Sequence, residues 1–135
     1  MKKTVYIVGG DRASCYKTPW EDDAEIWLLN EMWWKRLDTD YPRWDRWFEL
    51  HWPAYWEDPG YHDWMKRQTR PIYLQRADPA IPAGIAYPLD EALAYFGRRY
   101  FTDSFAYMIA LAIMEGFEEI RLYGVNLDTY YEFHA

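Results

Sequence analysis

At 135 residues the chain can bury a core of its own and is too short for two domains of ordinary size. Half of its residues are hydrophobic and 27% are charged, which excludes a disordered composition. A formal net charge of -7 leaves no excess of cations for a phosphate backbone, so nucleic acid is not an expected partner.

A single cysteine, Cys15, excludes an intrachain disulfide, and no Cys/His cluster has metal-ligand spacing, so neither metal nor cofactor is expected. No segment approaches the roughly 18 consecutive apolar residues of a membrane span. The apolar run in MKKTVYIVGG, about five residues, is too short for a secretory signal. A cytoplasmic protein without a membrane partner is the expectation. What departs from the ordinary is the count of 9 Trp, 13 Tyr and 6 Phe, 21% of the sequence. So small a chain cannot hide every ring, and exposed rings serve ligand stacking or protein interfaces.

In chain order, Thr4 to Val8 predicts a buried first strand that enters a turn at Gly9-Gly10-Asp11. Ala24 to Leu29 predicts the second strand, ending at Asn30, and the following EMWWKRL has helical character. Trp47 to Leu50 predicts the third, ending at His51. Pro53, Pro59 and Gly60 mark a loop before a short helix in YHDWMKRQTR, and PIYLQ predicts the fourth strand. Arg76 to Pro88, polar and rich in proline, reads as a connection of about a dozen residues. Asp90 can cap a helix through Gly97. Thr102 or Asp103 starts the clearest helix, SFAYMIALAIMEGF, which is apolar on most faces and stops at Gly116. Ile120 to Val125 predicts the fifth strand.

Strands alternating with helices imply a single α/β domain over residues 1–135, a Rossmann-like three-layer sandwich whose mostly parallel sheet of about five strands carries helices on both faces. Ligands in such sheets bind beyond the carboxyl ends of the strands. Those ends offer Gly9, Gly10, Asp11 and Arg12; Asn30; His51 and Trp52; Gln75; and Asn126, Tyr130 and Tyr131. The two glycines would let backbone amides approach a phosphate, although neither GxGxxG nor GxxxxGK[ST] is present, which disfavours dinucleotide oxidoreductases and P-loop hydrolases. Asn30 can read a base edge or a sugar hydroxyl, or simply shape a turn. His51 can act as acid or base, or hydrogen-bond at a strand end, and the second role is favoured. Thr102 and Ser104 sit at a helix start, where unpaired amides favour an anion.

The block YFTDSFAYMIALAIMEGFEEIRLYGVN resembles the matching segment of the family 42 bacterial sialyltransferases and of pterin pyrophosphokinase-like domains, in which a Thr-Ser pair opens a buried helix and a strand ends in Gly-Ile/Val-Asp. The resemblance implies nucleotide contacts from Gly9, Gly10, Asn30, Thr102 and Ser104, with Tyr130 or Tyr131 near the phosphate. FELH and LYGVN are similar in form to blocks of short phage proteins. Two departures stand out. The sialyltransferases continue their glycine turn as Gly-Pro-Ser, where this chain has Gly-Gly-Asp, and they carry their base histidine well beyond the fifth strand, where this chain offers only His134.

Three functions follow as expectations. The first is non-catalytic binding that sequesters a nucleotide-derived small molecule, in a phage setting a nucleotide immune signal such as a cyclic nucleotide or a cyclic ADP-ribose derivative, with no catalytic residue. The second is an enzyme, a nucleotide-sugar transferase or nucleotide hydrolase, with His51 beside Glu49 or Asp11 as base. The third is a protein-docking surface or homo-oligomer interface built on the Trp-rich stretch from Trp44 to Trp64.

Overall fold

The computed structural model describes residues 3–11, 14–30, 43–53, 56, 58–97 and 103–125. The apolar runs of its inner strands become strands because each is sealed on both faces. Val5, Ile7 and Val8 in β1 (Thr4–Val8) and Ile26, Trp27 and Leu28 in β2 (Glu25–Leu29) are wholly buried. Burial on two sides is what turns a parallel strand into a continuous hydrophobic run instead of an alternating one. The sheet continues through β3 (Arg46–Glu49), β4 (Ile72–Leu74), β5 (Gly84–Ala86) and β6 (Glu119–Tyr123). The spatial order is β5-β4-β3-β2-β1-β6, and every pairing is parallel. Among the described residues three helices accompany it: α1 (Pro59–Lys66), α2 (Leu89–Phe96) and α3 (Ser104–Met114), with a short 3-10 turn at Cys15–Lys17. Among the described residues no helix is long and apolar enough to cross a membrane.

The register assigns helices to both faces. Trp47 in β3 is paired with Leu28 and Ile72, and on that face its indole N–H donates to the Tyr61 hydroxyl of α1 at 2.9 Å. The rings of Trp44, Trp47 and Trp64 lie 4.7–5.8 Å apart there. The neighbouring positions Arg46 and Phe48 point to the opposite face, with Trp27. On that side Arg46 donates to both Glu115 oxygens, at 2.7 and 2.8 Å, just past the C-terminus of α3, and its guanidinium lies 4.7 Å over the Trp27 ring. The fold is therefore an α/β, Rossmann-like sandwich with helices on either side of a parallel sheet.

Two expectations need correction. The stretch Arg76 to Pro88, read as a plain connection, contains β5, so the described residues form a sheet of six strands where about five were expected. Gly84-Ile85-Ala86 lies in a non-polar stretch, Ile81 to Tyr87, but Pro82 and Gly84 give that stretch the look of a turn, and Ile85 stays 42% exposed. It is a strand because its edge can pair: Ile72 N donates to Ala83 O at 3.0 Å and Tyr87 N to Leu74 O at 2.7 Å. The Trp-rich docking surface also loses most of its rings. Trp44 and Trp47 are buried and Trp64 packs against them, whereas Trp52 is exposed. Strand bounds shift slightly, since β3 begins at Arg46, a charge the sheet tolerates because Glu25 and Glu115 both accept from it. The helical reading of EMWWKRL falls outside the described residues.

Candidate functional site

All strands run the same way, so one edge of the sheet collects every carboxyl end. There Asn30 follows β2 with φ 41°, a left-handed backbone that asparagine tolerates better than most residues, and its side chain is buried. With its amide turned to satisfy its neighbours, Nδ2 donates to Phe48 O at 2.9 Å and to Glu49 Oε2 at 3.0 Å. The other end of that amide faces the Ser104 hydroxyl, at the start of α3, across a long 3.5 Å contact. Glu49, 3% exposed at the end of β3, accepts in turn from His51 N at 3.2 Å and His51 Nδ1 at 2.9 Å. A carboxylate so buried needs such donors to offset its desolvation. The outcome is a connected row, Ser104, Asn30, Glu49 and His51, drawn from α3, β2 and β3. A proton held on Nδ1 by Glu49 makes Nε2 the basic nitrogen of His51.

Beside this row the glycine turn does something other than expected. Gly9 N donates to Tyr123 O at 2.7 Å and Asp11 N to Gly124 O at 2.8 Å, so these amides are spent in joining β1 to β6. A Cβ on Gly9 would stand 2.6 Å from Gly124 O and 2.7 Å from the Phe105 ring, which explains the glycine by close approach. Gly10 is buried beside it, and Asp11 accepts from the Ser14 hydroxyl at 2.9 Å and from Cys15 N at 2.8 Å, anchoring the 3-10 turn. Gly124 has φ +66° and no room for a Cβ beside Gly9 O. Gly124→Ala is therefore expected to cost about 2–4 kcal/mol, from a strained left-handed alanine together with overpacking. A chemical-denaturation midpoint that does not move would contradict that close approach.

At the start of α3, Asp103 accepts from Ala106 N at 2.8 Å and so occupies one of the first-turn amides. Arg12, Thr102, Asn126, Tyr130 and Tyr131 lie outside the described residues. The remaining candidates, His51, Trp52 and Gln75, border two adjoining hollows at the ends of β3, β4 and β5, of about 280 and 340 Å³. Gln75 Nε2 donates to Leu50 O at 2.6 Å and ties the β3 and β4 ends together. The larger hollow is also lined by Tyr87 and Tyr107, residues that the sequence reading passed over. Tyr87 was hidden because β5, which delivers it, is only three residues long and sits in a stretch that Pro82 and Gly84 make look like a turn. Burial, then the neighbouring Tyr107, pushes the Tyr87 phenol well above its ordinary range, so it stays a neutral donor, bonded to Tyr107 O at 2.6 Å. A hollow of about 510 Å³ lies at the opposite edge, among Glu21, Asp22, Asp23, Glu25 and Asp45. Arg43 there is engaged by Asp45 and the Ala24 carbonyl, and no group of ligands suited to a metal occurs among the described residues. The strands' amino ends are not where open parallel sheets place their ligands.

No family model matches the sequence, and no curated protein does. A solved structure does match: the sialyltransferase CstII from Campylobacter jejuni in complex with a substrate analogue, cytidine-5'-monophosphate. The TM-score is 0.61 at 20% identity, over 99% of this chain and 72% of that one. At that identity the likeness is one of fold, and it agrees with the parallel sheet and its two helical layers in giving the chain a Rossmann-like α/β fold.

Proposed function

We propose that the domain binds a nucleotide sugar along the carboxyl edge of its sheet and transfers the glycosyl group to a hydroxyl acceptor. The observation that carries the proposal is the connected row from Ser104 through Asn30 and Glu49 to His51. The Asn30 side-chain oxygen and the Ser104 hydroxyl, the members of the row not used up within it, can accept and donate toward a base edge or ribose, and Glu49 holds a histidine whose side chain is 54% exposed. In transfer, an acceptor hydroxyl gives its proton to His51 Nε2 while its oxygen bonds to the anomeric carbon. The bond from that carbon to the nucleotide phosphate breaks, and the phosphate leaves with the electron pair. The fold neighbour's complex with cytidine-5'-monophosphate makes a cytidine nucleotide the first candidate. A histidine held by a buried carboxylate gives the row a use beyond capture, which sets transfer ahead of sequestration of a nucleotide signal, the phage-type role.

The test is a thermal-shift screen of purified protein against CMP, UMP, AMP and CMP- and UDP-sugars, with chromatography of each ligand after incubation with simple glycosides. A saturating ligand at 100 times its Kd stabilises by about 2.7 kcal/mol. Ser104→Ala and Asn30→Ala are each expected to weaken the stabilising nucleotide roughly tenfold, the worth of one well-made hydrogen bond. Unchanged affinity in both variants removes this row from the site. Release of nucleotide from the sugar supports transfer, whereas tight binding with the ligand returned intact supports sequestration.

A further inference from the structure

At one side of the sheet β6 is the last strand, and among the described residues β1 is its sole neighbour. Glu119 N donates to Lys3 O and Gly9 N to Tyr123 O, so Glu119, Arg121 and Tyr123 turn their backbone groups toward β1. Alternation along the strand turns those of Ile120 and Leu122 outward, where no strand among the described residues receives them. Sheets ordinarily blunt such an edge with lysine, proline or a bulge. β6 has no lysine or proline, and its five rungs on β1 run without a bulge. Its side chains alternate as well. Register places Leu122 with Ile7 and Trp27 on the face of α3, yet Leu122 stays 42% exposed. Glu119 and Arg121 lie on the other face, paired with each other, and the Arg121 guanidinium is 5.7 Å from the Tyr6 ring centroid.

Opposite charges two residues apart make a strand complementary to its own reverse. In an antiparallel pairing centred on Ile120, Ile120 and the partner's Ile120 exchange both backbone hydrogen bonds. Glu119 then stands opposite the partner's Arg121, Arg121 stands opposite the partner's Glu119, and Leu122 reaches the partner's Ile120 across the diagonal. Centring on Arg121 instead would oppose two guanidiniums, and a slip of one residue would oppose backbone groups that β1 already engages. A second copy supplies the matching pattern by symmetry alone, whereas a foreign strand would have to carry it. We infer that β6 is a dimerisation edge, through which two copies join their six-stranded sheets into one continuous sheet across a twofold axis at Ile120. The inference is independent of the transferase proposal, since this edge lies apart from the row that ends at His51.

Sedimentation equilibrium over a wide range of protein concentration tests it, on the wild-type chain, on Glu119→Arg, on Arg121→Glu and on the variant with both reversals. The expected result is a reversible wild-type dimer that each single reversal weakens about tenfold or more, because both cross-strand pairs become like-charged. An equimolar mixture of the two single variants should pair again, one strand then being wholly basic and the other wholly acidic, and the double reversal should restore the dimer to within about threefold of wild type. A merely structural loss in each variant would not be repaired by mixing. By hydrogen exchange, the Ile120 and Leu122 amides should slow as protein concentration rises while those facing β1 stay unchanged. A wild-type chain that is monomeric at every concentration overturns the inference, as does protection of those two amides that ignores concentration, since the edge is then covered within one chain. A dimer indifferent to both single reversals, or one that neither mixing nor the double reversal restores, overturns it as well, because its interface is another.

Discussion

Trp47→Ala is expected to lower the unfolding free energy by about 3–5 kcal/mol, the range for deleting a large buried aromatic side chain. The indole is wholly buried between Leu28 and Ile72, in contact with Trp44 and Trp64, and its N–H bonds the Tyr61 hydroxyl of α1. Removing it empties the space between the sheet and α1 and severs their hydrogen bond together. Small domains have only about 5–15 kcal/mol to lose, so the variant should sit close to the edge of folding at physiological temperature. In urea the midpoint should fall with the slope unchanged. Trp47→Phe keeps much of the ring contact and should lose about half as much, and the exposed Trp52→Ala should stay within about 0.5 kcal/mol of wild type. If Trp47→Ala and Trp52→Ala shifted the midpoint equally, the division of these tryptophans between core and surface would be wrong.

That division also shows where sequence reasoning reached its limit. Trp44, Trp47, Trp52 and Trp64 look alike in a run of residues, and only the register of β3 on β4 and the position of α1 separate three packed rings from one exposed one. β1 was legible to the residue because a strand buried on both faces writes itself as an unbroken apolar run. β5 was not, since an edge strand of Gly, Ile and Ala is held by its neighbour's backbone and not by its own side chains. The start of α3 was legible to within one residue, Thr102 or Asp103, because cap chemistry is local, and the structure gives the cap to Asp103. Asn30 and His51 could be placed at strand ends from the sequence. The row that joins them needed three distant segments in register, and no single segment carries that information. Gly9 illustrates the converse: a glycine turn suggested a phosphate, and the backbone spends the amide on Tyr123.

If the domain is a transferase, its rate should fall by about 10²–10⁴ in His51→Ala, the usual worth of a positioned acid or base. Glu49→Gln should give a loss of similar order while leaving the nucleotide's thermal shift in place. A glutamine in that space can still accept from His51 and Asn30 through its oxygen, so the fold at the end of β3 is kept while the charge that stabilises a protonated imidazole is removed. Glu49→Ala is the harsher change. It leaves the Asn30 amide and the His51 backbone N–H without their acceptor and should add about 1–3 kcal/mol of instability for each group left buried. The informative variant is therefore the double one. Two residues that act as a unit lose their function once, so Glu49→Gln with His51→Ala should be barely slower than the slower single variant. Losses that multiply would mean that Glu49 does not act through His51, and the carboxylate would be left with a purely structural part at the end of β3. A His51→Ala variant as fast as wild type would remove the base from the proposal while leaving the nucleotide contacts at Asn30 and Ser104 to stand on their own binding data.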